Sequence, residues 1–334
     1  MRSSEREDPQ LPSPSPTNER DHHRARASGS ELAERIARLV KRDGAVEAAP
    51  GLFLLRYSEP VGPVYAVSNP SFCVIVQGSK ELLLGNERFR YDPAHYLLIT
   101  AGMPVTGHII EASKARPYLA VRLNLDPAIA TAVLMENSFL ASRTDGAVKA
   151  MAVSRLDANL LDGVLRLVRL VGKPRDYAAL APLTAREIVY RLALGEQGGR
   201  LRQIAVIGGR AHRMTKAIEL IRRDYDKPLR IAGLARRLGM SPSGLHHHFK
   251  AVTAMSPLQF QKQIRLQEAR RLLLLGDSDA ATAGLQVGYD DASHFNREYK
   301  RFFGEPPIRD VERLRDWESP PMSRGSRRAS SGTG

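Results

Sequence analysis

The chain has 334 residues, enough for two domains with separate cores, and its formal net charge of +14 favours a polyanionic partner such as nucleic acid. The single cysteine, Cys73, excludes an intrachain disulfide and a cysteine-rich zinc module. No stretch approaches the roughly 20 apolar residues of a membrane-spanning helix, and the charged residues 1–30 lack the apolar region of a signal peptide. We therefore expect a cytoplasmic protein, outside the membrane, with a disordered tail over residues 1–30.

The first structural region is predicted over residues 31–145 and consists mainly of short strands. It begins with a helix over residues 30–40, for which Ser30 is a suitable N-cap. From residue 52 to residue 125, runs rich in Val, Ile, Leu, Tyr and Phe alternate with turns that contain Gly or Pro. Such closely spaced strands predict a small β-barrel. Its interior is expected to contain Leu82, Leu84, Phe89, Tyr96, Leu98 and Ile110.

A helical period replaces the strand pattern over residues 146–208. A broad apolar stripe predicts one helix over residues 155–171, ended by Gly172 and Pro174, and a second helix is predicted over residues 182–194. We expect a helical connector. Its leucines either pack on the barrel or form the interface of a homodimer.

Residues 209–315 contain an internal repeat of the helix-turn-helix type, after a helix over residues 211–223. In the first unit Ala235 allows close helix packing, Gly239 suits the turn, and Ser241 can cap a second helix that has Pro242 at its first position. A similar unit follows 49 residues later, where Asp290 or Asp291 can cap the second helix. Two such units in tandem indicate DNA binding far more specifically than one.

The segment between the two units predicts a rigid helix from Ser256 to about Leu275. Some 20 helical residues span about 30 Å, close to the ~34 Å repeat of DNA, so the second helix of each unit could enter successive turns of the major groove. Residues 210–315 carry 20 Lys and Arg against 12 Asp and Glu, which suits this role. Residues 316–334 are expected to form a second disordered tail.

Residues 210–315 resemble the DNA-binding domain of the AraC family, and the N-terminal region resembles the cupin-like domain found in one branch of that family. The resemblance rests on Met240-Ser241-Pro242-Ser243, Phe249-Lys250, Met255-Ser256-Pro257, Val287-Gly288-Tyr289 and Phe303-Gly304, with Cys73–Lys80 and Tyr91–Leu98 upstream. It implies an α+β fold with an N-terminal cupin-like β-barrel, a helical connector and a C-terminal all-α domain with two helix-turn-helix units.

The resemblance also implies a bacterial transcription regulator whose recognition helices lie in the major groove of double-stranded DNA. The implied DNA contacts are Ser241, Ser243, His246, His247, Lys250, Ser293, His294, Asn296, Arg297, Lys300 and Arg301. The family usually has Arg at the position of His247, and an imidazole cannot bind guanine bidentately as a guanidinium does. The two units are therefore expected to read DNA unequally.

The barrel is expected to bind a small, partly apolar effector or to position the DNA-binding domain. The candidate effector contacts are Cys73, His95, Tyr96, His108 and Arg122. No cofactor or catalytic residue is predicted. No metal site is predicted either, because the adjacent His246, His247 and His248 point in different directions on a helix. Cys73 lies in an apolar run, which is typical of an inert buried thiol.

Two other functions compete with the regulator hypothesis. An architectural DNA protein would share the basic charge without needing capped recognition helices. A DNA-repair enzyme with an AraC-like module would need several reactive cysteines, and Cys73 is the only one. We therefore expect a non-enzymatic regulator that is associated with the nucleoid, has RNA polymerase as a partner and responds to an effector of unknown identity.

Overall fold

The computed structural model describes residues 16–318, except for residues 86, 138–148, 203, 205–209 and 277. Within these ranges the strands lie between residues 44 and 155, and residues 210–318 are helical. The α+β fold class is confirmed, with a β-barrel, a helical connector and a C-terminal helical domain. Residues 1–15 and 319–334, both predicted as parts of tails, lie outside the described residues.

Two antiparallel sheets form the barrel. The strands are β1 Gly44–Ala49, β2 Leu52–Tyr57, β3 Val61–Ser68, β4 Ser71–Gln77, β5 Ser79–Leu84, β6 Glu87–Tyr91, β7 His95–Ile99, β8 Met103–Glu111, β9 Tyr118–Asn124 and β10 Met151–Arg155. One sheet has the order β1-β2-β9-β4-β7-β10, and the other has the order β3-β8-β5-β6. Inward side chains of both sheets share one core, so the sheets enclose a common interior.

The six-stranded sheet is covered on both faces. On β4, Phe72 and Val74 pack outward against helices, whereas Cys73 and Ile75 point toward the four-stranded sheet. This alternation follows from the two-residue period of a strand. Because both faces are buried, the strand is apolar throughout, as its sequence indicates.

The same alternation corrects half of the predicted barrel interior. The residues that face the interior as predicted are Leu82, Leu84 and Phe89. Tyr96 and Leu98 lie instead on the outer face of β7, in the core shared with the helices, and Ile110 is exposed. Apolar character alone could not distinguish the two buried faces of a doubly covered sheet.

Helices of the N-terminal half cover the outer face of this sheet. They are α1 Pro16–Leu39, α2 Pro127–Glu136, α3 Ala158–Arg169, α4 Pro174–Leu194 and α5 Gly198–Leu201. Residues 16–30, predicted as part of a disordered tail, therefore belong to α1, and Ser30 lies inside that helix. Contacts with α3 hold this polar segment: Arg24 donates to Asn159 (2.6 Å), and Glu31 pairs with Arg169 (2.5 Å). Local periodicity cannot detect such long-range support.

Two predicted boundaries also shift. Strand β10 pairs with β7, so the barrel extends past residue 145 to Arg155. Helix α4 begins at Pro174 and contains Pro182, whereas the sequence placed its start at residue 182. Proline is suited to the first position of a helix, because a backbone N–H at that position has no partner within the helix. Pro174 therefore follows α3 and also begins α4.

The C-terminal domain consists of α6 Arg210–Arg223, α7 Ile231–Arg237, α8 Pro242–Thr253, α9 Pro257–Leu275, α10 Ala280–Gln286, α11 Ala292–Phe303 and α12 Pro307–Glu318. The pairs α7–α8 and α10–α11 are the two predicted helix-turn-helix units, and α9 joins them. Helix α12 continues three residues past the predicted domain end at residue 315. None of the helices among the described residues is long and apolar enough to cross a membrane.

The barrel packs directly on both helix-turn-helix units. Its interior core continues into that of the first unit, with Met103 in the same cluster as Phe249. The Ala150 N–H donates to the Val252 carbonyl in α8 (3.1 Å). At the second unit, the Tyr65 hydroxyl donates to the Phe302 carbonyl (3.2 Å). A structural change in the barrel can therefore reach both units.

Candidate nucleic-acid interface

The first unit is built around a sharp turn and a capped recognition helix. Gly239 adopts φ +62° in the turn, a conformation that favours glycine. The Ser241 hydroxyl accepts a bond from the Gly244 N–H (3.1 Å), which satisfies one of the free donors at the start of α8. Leu245 and Phe249 are fully buried and fix the rotation of α8 about its axis.

This rotation leaves the opposite face of α8 open to solvent. The exposed residues of the predicted contact set in this unit are Ser241, Ser243, His246, His247 and Lys250. All of them except Ser241 line a shallow open groove, together with Ala251. The face offers hydroxyls, imidazoles and one cation, which is a mixed donor and acceptor set suited to base edges and phosphates.

The second unit has a stronger cap. The Asp291 carboxylate accepts bonds from the N–H groups of Ser293 (2.9 Å) and His294 (3.0 Å). These backbone donors hold the pKa of Asp291 below its usual value. Phe295 and Tyr299 are fully buried beneath α11 and orient the helix as Leu245 and Phe249 orient α8.

The outer face of α11 carries the remaining predicted contacts. The exposed residues are Ser293, His294, Asn296, Arg297, Lys300 and Arg301. Glu298 lies among them and pairs with Arg301 (2.6 Å) and with Lys262 of α9 (2.9 Å). Burial opposes ionisation of Glu298, but the bond from Lys262 keeps its pKa below the usual value. Arg301 is therefore engaged by a carboxylate in the absence of DNA.

Helix α9 holds the two units at a fixed separation. Its N-terminus carries a full capping box, in which Ser256 and Gln259 each bond the backbone N–H of the other. Its 19 residues span about 28 Å at 1.5 Å per residue. The linker is thus an ordered helix, as the sequence predicts, and close to the predicted length.

Arg265 on α9 is a positioning residue that the sequence analysis missed. Its guanidinium donates to the carbonyls of Tyr225 (2.6 Å) and Gly288 (2.7 Å), and also to those of Asp226 (3.0 Å) and Lys227 (3.1 Å). Gly288 lies in the turn of the second unit, whereas the other three carbonyls precede the first. One side chain therefore ties both units together, and a pattern of helical spacing gives no signal for it.

A buried ion pair fixes the end of the domain and was also missed. Arg270 donates to Asp310 through Nε (2.7 Å) and Nη2 (2.6 Å), and Asp310 is fully buried. The Tyr299 hydroxyl donates to the same carboxylate (2.9 Å). This cluster links α9, α11 and α12. The partner of Arg270 is 40 residues away along the chain and cannot be found by local spacing.

The structure separates the five predicted effector contacts. Cys73 and Arg122 are cross-strand partners on the inner face of the six-stranded sheet. Tyr96 lies on the outer face of that sheet, and the Nδ1 atom of His95 lies 2.7 Å from Asp92 at the start of β7. His108 alternates with the inward residues of β8 and points away from the interior. The five residues therefore do not form one site.

The structure also describes the surroundings of Cys73 and of the histidine run. Burial raises the pKa of the Cys73 thiol, so the thiol is protonated and poorly nucleophilic at neutral pH. In the described ranges no three His, Cys, Asp or Glu side chains come together as a metal site would require. The rings of His247 and His248 contact each other edge to face, with their centroids 5.3 Å apart.

Two family models match the chain. A model described as the AraC-type transcriptional regulator N-terminus matches residues 48–200, and a model described as a helix-turn-helix domain matches residues 234–313. Together they cover more than two thirds of the chain. The first match falls on the barrel and connector, and the second falls on both helix-turn-helix units.

Curated relatives match over shorter lengths. The HTH-type transcriptional regulator ArgR of Pseudomonas aeruginosa is 28% identical over 143 residues, which are 42% of this chain and 44% of that protein. The arabinose operon regulatory protein of Salmonella typhimurium is 33% identical over 113 residues, which are 32% of this chain and 40% of that protein. The chain thus spans less than half the length of these two relatives.

Solved structures of ToxT from Vibrio cholerae are similar over most of the chain. An apo ToxT variant gives a TM-score of 0.51 at 11% identity, covering 81% of this chain and 99% of that one. ToxT bound to (E)-4-(8-methylnaphthalen-1-yl)but-3-enoic acid gives a TM-score of 0.52 at 12% identity, and the match covers 78% of this chain and 97% of the ToxT chain. At such low identity the likeness shows the fold alone. The two family matches, one on the barrel and one on the paired units, show that the chain belongs to the AraC family.

Proposed function

We propose that this protein is a sequence-specific transcription regulator that binds double-stranded DNA through α8 and α11. One observation carries the proposal: the eleven side chains assigned to DNA contact from the sequence are all exposed, and the barrel leaves them uncovered. They lie on two capped helices joined by one rigid helix. This arrangement suits adjacent turns of the major groove.

The experiment compares specific and random DNA at one fixed salt concentration. Binding sites are first selected from a random library with the full-length protein, and affinities for a selected and a scrambled duplex are then measured. A specific regulator should prefer the selected site by about 10³-fold or more. A ratio near one would favour the alternative function, an architectural DNA protein.

We also propose that a small molecule in the barrel modulates DNA binding and that RNA polymerase is a partner at the promoter. The support is the direct packing of the barrel on both units. A ToxT structure is described as bound to an unsaturated fatty acid, which makes an effector of similar size a reasonable model. Transcription in vitro with purified polymerase tests both parts, because output should depend on the protein and on the effector.

The proposal assigns the protein to the nucleoid and gives it no catalytic step. Its curated relatives are named as transcription regulators. A repair enzyme would need an accessible nucleophilic cysteine, whereas Cys73 is buried and protonated. Imaging of a fluorescent fusion should show the signal over the chromosome, and removal of the exposed α11 contacts should disperse it.

Helix α4 supports self-association as a homodimer. Leu180, Leu183, Tyr190 and Leu194 are large exposed apolar residues on this helix. Their separations of three, seven and four residues place them on one stripe, and such a stripe normally packs against a partner helix. We therefore propose α4 as the subunit interface.

Sedimentation velocity tests the dimer. Leu183→Glu should convert a dimer to a monomer, since it places a charge in the centre of the stripe. Val46→Glu, at an exposed apolar position on β1, is the matched control and should leave the dimer intact. A monomeric wild-type protein at micromolar concentration would contradict the proposed interface.

A further inference from the structure

Two cationic side chains, Lys80 and Arg122, project into the barrel from opposite sheets. On β5, Lys80 shares its face with Leu82 and Leu84, which belong to the interior core. On β9, Arg122 shares its face with Tyr118 and Ala120 of the same core. Barrel interiors are normally apolar, so two cations at this place require an explanation.

The space around Lys80 is shaped for its side chain. Gly107 lies beside it on β8, and a Cβ atom at that position would lie 3.1 Å from Lys80 Cε and 3.5 Å from Nζ. Gly107 does not have a positive φ, so the absence of a side chain matters there for the room that it gives and not for backbone conformation. The fold thus leaves room for an inward lysine where any larger residue would press on it.

An aromatic ring holds Arg122 from one side. Phe53 covers one face of the guanidinium, with Cζ 4.0 Å from the ring centroid. The buried Nε atom of Arg122 has no hydrogen-bond partner among the residues that the structure describes. The ring and the unused donor leave this cation oriented, and no ion pair between described residues supplies it with an anion.

The described residues of the barrel interior do not supply an anion. Burial raises the pKa values of Cys73, Tyr91 and Tyr118, so these three groups are neutral near pH 7. Burial also lowers the pKa of Lys80, as expected for an ammonium without a paired carboxylate. Five acidic residues around the barrel are engaged elsewhere: Asp43 with Arg56, Glu81 with Arg88, Glu87 with Lys149, Asp92 with His95 and Glu111 with Arg90.

We infer that Lys80 and Arg122 bind the carboxylate of a small monocarboxylic acid whose apolar body lies among the inward side chains of the barrel. A guanidinium pairs with both oxygens of a carboxylate, and an ammonium adds a second charge-assisted bond. Ile75, Leu82 and Ile109 offer an apolar surface for the remainder of the molecule. The inference rests on the proposed effector role of the barrel and gives that effector a chemical class.

The test measures ligand binding to the full-length protein in the absence of DNA. The probes are hexanoate and benzoate, with hexanamide and benzamide as neutral molecules of nearly the same shape. Both calorimetry and thermal unfolding are recorded. At least one carboxylate should bind and raise Tm, and its amide should do neither. If neither carboxylate binds at millimolar concentration, or an amide binds equally well, the inference is wrong.

Variants assign the binding to the two cations. Arg122→Gln and Lys80→Met should each weaken carboxylate binding by about tenfold or more, whereas Lys114→Met, at an exposed position in the loop between β8 and β9, should bind as wild type. Lys80→Met should also raise Tm of the ligand-free protein, because it removes an unpaired cation from the interior. A lower Tm for Lys80→Met together with undiminished carboxylate binding would contradict the inference.

Failure here is separable from failure of the proposed DNA-binding function. Selective DNA binding without carboxylate binding would leave the regulator proposal intact and overturn the inference. Carboxylate binding without selective DNA binding would support the inference and contradict the regulator. If one variant loses both carboxylate binding and selective DNA binding, its thermal unfolding curve shows whether the variant still folds.

Discussion

Arg297 and His247 occupy the same position in the two recognition helices, since each is the sixth residue of its helix. Both are exposed, so each can reach a base edge. We predict that Arg297→Ala costs about 1–3 kcal/mol of DNA binding, concentrated at one base pair of the site. Competition against a set of single-base variants measures this. Lys300→Ala is the control, and its loss should be uniform across sequences because a lysine contacts phosphate as a point charge.

A second prediction at this scale concerns His247→Arg. The guanidinium can donate two bonds to guanine, whereas a neutral imidazole has one donor and one acceptor. The substitution should tighten binding to sites with guanine facing α8 and leave other sites nearly unchanged. Titrations at equal salt measure the effect, and His22→Arg on α1 controls for the added charge. Unchanged affinity and base preference would show that this position does not read DNA.

Glu298 partly neutralises the positive charge around α11 through its ion pairs with Arg301 and Lys262. Glu298→Gln should free Arg301 and increase DNA affinity across sequences, with the gain shrinking as salt rises because the added term is electrostatic. Glu305→Gln removes the same charge at an exposed position beyond α11 and should give a smaller gain. Equal gains in the two variants would mean that net charge, and not the release of Arg301, is responsible.

Residue contacts such as these define the limit of what the sequence predicts. The recognition faces follow from a 3.6-residue period, because Leu245, Phe249, Phe295 and Tyr299 fix which sides of α8 and α11 remain exposed. Glu298 lies on α11, but its ion pair with Lys262 of α9 depends on the tertiary fold and gives no local signal. Similarly, inward cations such as Lys80 are recognised only after the register of β5 is known.

Among the secondary-structure elements, α9 does more than separate the two units. Through Arg265 it accounts for four carbonyl contacts that join the turn of the second unit to the segment before the first. Helix length, cap and end could be predicted from Ser256 and Gly276, because both act locally. The orientation of the units about α9 could not, because it depends on backbone acceptors that carry no sequence signature.

We predict that Arg265→Met lowers the free energy of unfolding by about 2 kcal/mol, since the partly buried carbonyls of Tyr225 and Gly288 lose a charged donor. Binding to a full site should weaken more than binding to a half-site that only one unit contacts, because the units lose their fixed relation. Denaturant unfolding and titrations on both duplexes measure these effects. Arg271→Met, at an exposed position on the same helix, is the control. Equal losses on full and half sites would show that Arg265 does not set the relation between the units.

At the scale of the whole molecule, the barrel and the helix-turn-helix domain share a core. Tyr65 on β3 packs against Phe302 (centroids 5.1 Å apart) and Phe303 (4.7 Å) at the end of α11. The guanidinium of Arg270, which also pairs with buried Asp310, lies 5.0 Å from the Tyr65 ring. One tyrosine of the barrel thus contacts the cluster that fixes the second unit.

We predict that Tyr65→Ala speeds amide hydrogen exchange at the end of α11 and in α12, because these helices lose an aromatic contact and a hydrogen bond. In this variant, the effect of any barrel ligand on DNA affinity should also shrink. A ligand can change DNA affinity only through a contact that differs between the ligand-bound and ligand-free states, and we expect the contact of Tyr65 with α11 to be one. Tyr65→Phe keeps the ring and should give an intermediate result. Unchanged exchange in α11 and full ligand response in Tyr65→Ala would mean that the signal travels through the Ala150–Val252 contact with the first unit instead.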